Sequence, residues 1–138
     1  MKKHCVAVIG CGRIAQGAHL PALKEIENVR VKYACDLILE KAELAVSKFG
    51  CEQAITDYSI ALKDPEVEAV WVLTPNYAHY TVTMDALRAG KHVLCEKPAA
   101  RIYSEALEMQ QVQHETGKIL NIGVVNRFNT AVNEVRSR

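Results

Sequence analysis

Cys5-Val6-Ala7-Val8-Ile9-Gly10-Cys11-Gly12-Arg13-Ile14-Ala15 is the stretch on which the reading of this chain turns. An apolar run rich in β-branched side chains meets two glycines one residue apart, and residues Arg13 to Ile26 then read as a helix. A strand that closes on G-x-G-x-x-A and opens a helix has a physical purpose. Gly10 permits a tight turn, Gly12 lets a pyrophosphate approach the backbone, and Ala15 lets the helix pack closely. The unpaired N–H groups and positive dipole end of that helix complete an anion site. Pro21 has no N–H to donate, so the helix is expected to be interrupted or bent near it.

Working outward, short apolar runs alternate with longer amphipathic stretches. Val29, Val31, Tyr33 and Cys35 alternate with Arg30, Lys32 and Ala34, the period of a strand with one less buried face. Leu39, Ala42, Val46 and Phe49 recur at helical spacing and stop at Gly50. Further strands are expected at Gln53 to Thr56, Ala69 to Leu73, His92 to Cys95 and Ile119 to Val125. Helices are expected around Ser59 to Lys63, Tyr77 to Ala89 and Ser104 to Thr116, with another starting at Thr130. This pattern predicts an α/β fold: a doubly wound, six-stranded parallel sheet in the order 3-2-1-4-5-6, helices on both faces.

Composition excludes several alternatives. The chain has 138 residues, 49% apolar and 24% charged, an ordinary globular profile that fits one domain better than two. A net charge of +1 offers no basic face to nucleic acid or anionic lipid. The apolar run Ala69 to Leu73 is far too short to span a membrane. Met1-Lys2-Lys3 before an apolar stretch resembles a signal peptide, but that stretch ends at Gly10; it reads as a strand, and the protein is expected to be cytoplasmic. Five cysteines, with no C-x-x-C pair and no zinc-finger spacing, read as reduced, buried thiols and not as metal ligands.

Asp36 closes the second strand about 20 residues beyond the glycine motif, where a carboxylate accepts hydrogen bonds from both adenosine ribose hydroxyls. It would repel a 2′-phosphate, and Leu37, Ile38 and Leu39 follow with no arginine, so NAD is favoured over NADP. The lesser alternative for Asp36 is a helix cap at a strand end. Thr74-Pro75-Asn76 and His79 follow the strongest strand, and Glu96-Lys97-Pro98 the fifth. Ligands gather at these carboxyl ends, although an isolated histidine or lysine there is also a common surface residue. A lysine beside a nicotinamide can donate a hydrogen bond or shuttle a proton to a substrate oxygen.

Taken together, G-C-G-R-I-A, Asp36, Thr74-Pro75-Asn76 with His79, Ala89-Gly90-Lys91-His92-Val93 leading to Glu96-Lys97-Pro98, and Asn126-Arg127-Phe128-Asn129 resemble the glucose-fructose oxidoreductase, inositol dehydrogenase and MocA (Gfo/Idh/MocA) family. The resemblance implies an N-terminal NAD(P)-binding domain of an oxidoreductase. Such an enzyme moves hydride between nicotinamide and a secondary alcohol of a sugar, cyclitol or sugar derivative. It assigns Gly10, Gly12, Arg13 and Ile14 to the pyrophosphate and Asp36 to the ribose. Thr74, Asn76, His79 and Glu96 would line the path to the nicotinamide, Lys97 would stand near the hydride-transfer centre, and Arg127 just before the crossing to a second domain. That second domain, with its Asp-x-x-x-His motif, has no counterpart here. Residues 1–129 are therefore expected to form the dinucleotide-binding domain and 130–138 the start of the crossover helix, the chain alone being inactive. The whole protein is expected to be a homo-oligomer acting on a small sugar or polyol. A non-catalytic dinucleotide sensor is the alternative.

Overall fold

A computed structural model describes residues 3–96 and 100–122. Six strands form one sheet: β1 (His4–Ile9), β2 (Val29–Cys35), β3 (Gln53–Ile55), β4 (Ala69–Val72), β5 (His92–Cys95) and β6 (Leu120–Ile122). All neighbouring pairs are parallel. The order is β3-β2-β1-β4-β5-β6, as the alternation of elements predicts. The expected end of the sixth strand at Val125 and the helix beginning at Thr130 lie outside the described residues.

The helices α1 (Leu20–Glu25), α2 (Leu39–Phe49), α3 (Ser59–Lys63), α4 (His79–Arg88) and α5 (Tyr103–Thr116) cover the two faces. Val8, Ala15, Leu20, Leu23, Ala34 and Ala45 pack on the side of α1 and α2. Ala7, Ile9, Val70, Val72, Leu87, Val93 and Met109 pack on the side of α4 and α5. Each fully buried valine or leucine contributes about 1.5–3 kcal/mol of hydrophobic stabilisation. In α2 the buried stripe runs through Ala42 and Ala45, while Leu39, at the helix start, stays half-exposed.

The expected alternation of β2 fails midway, for a definite reason. Val6 pairs with Val31 but Ala7 pairs with Tyr33, so Lys32 is an extra residue in the ladder. This bulge reverses the parity of the strand. Val29 and Val31 pack toward α1 and α2, whereas Tyr33 and Cys35 join the opposite core. Neither face of β2 is therefore the less buried one along its whole length. On β4 the alternation is undisturbed: Val70 and Val72 are buried, and Trp71 faces α1, half-buried.

Helix follows Gly12 as expected, but its second turn is wound differently. Residues Ala15–His19 form a π-helical turn in which the Leu20 N–H donates to the Ala15 carbonyl, five residues back. Pro21 falls in the first turn of α1, where a missing N–H costs least. The proline thus shows itself as a local widening of the helix.

Candidate functional site

The carboxyl ends of β1, β2 and β4 surround a cleft of ≈ 580 Å³. Gly10, Gly12, Arg13, Ile14, Asp36 and Thr74 all stand in its wall, bringing together six of the residues singled out from the sequence.

The two motif glycines serve different needs. Gly10 has φ +102, and a Cβ there would lie 2.5 Å from the Leu73 carbonyl carbon and 2.7 Å from the Thr74 nitrogen. The chain's own turn requires glycine at that position. Gly12 is not in the left-handed region, and nothing lies within 4 Å of the place a Cβ would occupy. Folding alone does not require glycine at Gly12. What its lack of a side chain provides is an open approach to backbone N–H groups at the start of a helix.

Asp36 is braced from two sides. Its Oδ2 accepts the Cys11 N–H at 2.8 Å and its Oδ1 accepts the Ile38 N–H at 2.9 Å. The carboxylate is tied to the glycine-rich turn on one side and to the approach to α2 on the other. It is the sole carboxylate among the described residues of the cleft wall, which also presents Arg13 and Lys41. A cleft with this balance suits a polyanion carrying vicinal hydroxyls.

At the far side the Thr74 Oγ1 is buried and has no hydrogen-bond partner among the described residues. A buried hydroxyl without a partner costs free energy, and a ligand's polar atom in the cleft would relieve it. His79 is itself buried, and its Nε2–H donates to the Thr74 carbonyl at 2.7 Å. It supports the cleft from behind and does not stand in the wall. Asn76 lies in the short 3-10 turn Asn76–Ala78 that precedes α4. Glu96 follows β5, and its Oε1 accepts from the His19 Nε2–H at 2.9 Å. Lys97 and Arg127 lie outside the described residues.

Sequence reading missed three participants. Lys41 lies five residues past Asp36, in the first turn of α2 and beyond the three apolar residues that directly follow the acid. In sequence Tyr77 marks only the start of a helix, yet it stands in the cleft wall. His19 carried one signal, a polar ring two residues before a proline in an otherwise apolar stretch.

The five cysteines are free and buried. Burial, with the Asp36 charge second, pushes the Cys11 and Cys35 thiols up to about 12; burial likewise raises Cys51 and Cys95 to about 11. They are poor nucleophiles and poor metal ligands in this state. Among the described residues no cluster of His, Cys, Asp and Glu is arranged to hold a metal ion, and no helix is long and apolar enough to cross a membrane.

A parallel sheet in this order, with a bared glycine at the helix start and a braced acid closing β2, defines a protein of the dinucleotide-binding Rossmann class. The profile of the Gfo/Idh/MocA oxidoreductase family, NAD-binding Rossmann fold, matches residues 5–124, and the chain belongs to that family. It is 32% identical to the D-glucoside 3-dehydrogenase of Escherichia coli over 96% of its own length and 38% of the relative's. It is 33% identical to an inositol 2-dehydrogenase/D-chiro-inositol 3-dehydrogenase of Lactiplantibacillus plantarum, over 89% of this chain and 36% of that one. Among solved structures, a 3-ketoreductase from Actinomadura kijaniata in complex with TDP-benzene and NADP matches with a TM-score of 0.88 and 31% identity, over 99% of this chain and 43% of that one. The chain spans less than half the length of these relatives. It is an NAD(P)-binding Rossmann domain of an oxidoreductase family.

Proposed function

We propose that this chain is the cofactor-binding part of an NAD-dependent dehydrogenase that oxidises a secondary alcohol of a sugar, cyclitol or sugar derivative. One observation carries the reading: the Asp36 carboxylate is held between the Cys11 and Ile38 N–H groups in the same cleft that Gly12 leaves open. The residues present fit a dinucleotide. Gly12, Arg13 and Ile14 would hold its pyrophosphate and Asp36 its adenosine ribose, while the unpartnered Thr74 hydroxyl would meet the second half. When bound, the nicotinamide accepts or supplies the hydride.

The acid at Asp36 favours NAD over NADP, because a 2′-phosphate brought against it is repelled and desolvated. The relatives named above act on glucosides and inositols, which supports a small sugar or polyol substrate. Lys97 is assigned the proton-shuttling role beside the reacting alcohol, with Asn76 and Arg127 contributing to the site. Residues 1–129 would form the cofactor domain and 130–138 lead out of it, so that substrate contacts and assembly into a homo-oligomer belong to the whole protein. Free, buried thiols are consistent with a cytoplasmic protein, and nothing in the charge pattern calls for nucleic acid or membrane partners.

Calorimetric titration of the chain with NADH and NADPH, side by side, tests this. Saturable binding that favours NADH is expected; equal or stronger binding of NADPH would refute the role given to Asp36. In the intact dehydrogenase, Lys97→Ala should abolish turnover and leave NADH affinity nearly unchanged. Undiminished turnover would remove Lys97 from the chemistry.

A further inference from the structure

Glu96 is expected on the path to the nicotinamide, but His19 and its contact with Glu96 are used by none of the roles assigned so far. Its members come from opposite parts of the chain, 77 residues apart, and meet at 2.9 Å with both side chains almost wholly buried. Burying an imidazole and a carboxylate is costly unless each satisfies the other. Position makes the pair informative. The Glu96 N–H donates to the Val72 carbonyl, which places Glu96 beside the β4 end that leads into Leu73 and Thr74 of the cleft. By strand parity Glu96 lies on the face of Leu94, opposite Val93 and Cys95, and so on the side of α1.

His19 reaches Glu96 from the last position of the π-helical turn. A π turn inserts one extra residue, which rotates everything on one side of it by about 100° relative to the other. The turn therefore lets one helix do two things. Its first residues face the cleft while His19 faces the end of β5. In a doubly wound sheet the adenosine half of a dinucleotide lies over the β2 side of the switch point, and the other half over β4 and β5.

We infer that His19 is a positioning residue for the nicotinamide half of the cofactor site: it fixes the Glu96 carboxylate, the first residue beyond the end of β5. This inference rests on the dinucleotide reading given above. The carboxylate can only accept, so the Nε2 of His19 carries the proton of the bond, leaving Glu96 Oε2 for a second donor.

The test compares NADH with ADP-ribose, which has the adenosine, pyrophosphate and second ribose but no nicotinamide. Calorimetry on the 138-residue chain is expected to show His19→Ala weakening NADH about tenfold, the worth of one charge-assisted hydrogen bond, and ADP-ribose less than about twofold. His19→Gln, whose amide N–H can reach the same oxygen, should restore most of the loss. In the double variant, His19→Ala should add nothing to Glu96→Ala. Equal weakening of both ligands, or of neither, would overturn the inference and leave the pair a strut between helix and sheet. If His19→Ala does not fold, His19→Gln and Glu96→Gln supply the same comparison: Glu96→Gln alone is expected to weaken NADH selectively, and unchanged NADH affinity there overturns the inference. Failure of the unaltered chain to bind either ligand refutes the dinucleotide reading itself, and the inference falls with it.

Discussion

Cys11 and Asp36 stand 25 residues apart and are joined by a 2.8 Å hydrogen bond from the Cys11 backbone N–H to the Asp36 Oδ2. The residue expected to select the cofactor thus also pins the turn expected to hold its phosphates. Selectivity and turn geometry are not separable at this position.

Asp36→Ala should therefore act on both. NADH affinity is expected to fall about tenfold or more, and the preference over NADPH to disappear. Losing the acceptor for two backbone donors should also cost about 2 kcal/mol of stability, against about 1 for Asp36→Asn, which keeps one acceptor oxygen. Titration with both dinucleotides, alongside urea denaturation, measures the two effects separately.

Gly10 and Gly12 should respond oppositely to alanine. Gly10→Ala places a Cβ 2.5–2.7 Å from the Leu73 and Thr74 backbone at φ +102, and should destabilise the fold by about 3 kcal/mol or prevent its accumulation. Gly12→Ala meets nothing within 4 Å and should change stability by less than about 1 kcal/mol. Its expected defect is in NADH binding alone. Urea midpoints and calorimetry on the two variants check the contrast.

Acid should strip a specific support from the opposite end of the sheet. Asp64 accepts from the Lys32 ammonium at 2.6 Å, the Glu66 N–H at 2.9 Å and the Tyr33 hydroxyl at 2.8 Å. These donors, Lys32 foremost, hold its carboxyl at about 2 against an ordinary value of 3.8. The folded-state value is the lower one, so the stabilisation is complete above the ordinary value and lost as pH falls toward about 2. Asp64→Asn should be less stable than the parent at neutral pH, and the difference should close in acid. Urea midpoints from about pH 5 to about pH 2 give the comparison.

Thiol reactivity offers a test of the core itself. With Cys11 and Cys35 raised to about 12 and Cys51 and Cys95 to about 11, the folded chain should react only slowly with a thiol reagent near pH 8. Denaturant should release five equivalents at once. Rapid labelling of the native chain would show that one of these side chains is accessible.

The sheet order and the cleft wall were legible because their signals are local. A strand that ends on Gly10, a helix that begins at Arg13 and an acid at the end of the next strand can each be read within a short window. What escaped depends on residues far apart in the chain. The β2 bulge at Lys32 exists only in the register against β1, so the alternation of Val29 to Cys35 looked unbroken. From sequence His79 is either a residue lining the path to the nicotinamide or a surface residue; it is neither in the cleft wall nor exposed, but buried with its ring on the Thr74 carbonyl across the 3-10 turn between them. Asp64 stands before Pro65, and nothing nearby in sequence marks Lys32 and Tyr33 as its partners. His19 was likewise invisible, because Glu96 lies on another element and the π turn that aims the ring is not a feature of composition.

Trp71 is the one tryptophan of the chain. It is half-buried on β4, on the side facing α1 and just ahead of Leu73 in the cleft wall. Indole emission overlaps the absorption band of reduced nicotinamide, so the strand that separates the two halves of the cleft also carries an intrinsic optical donor. Excited indole should transfer energy to NADH seated beside that strand end and to no other part of the dinucleotide. The oxidised cofactor, filling the same space, should leave the emission far brighter, and the molecule therefore signals the redox state of its occupant without any label.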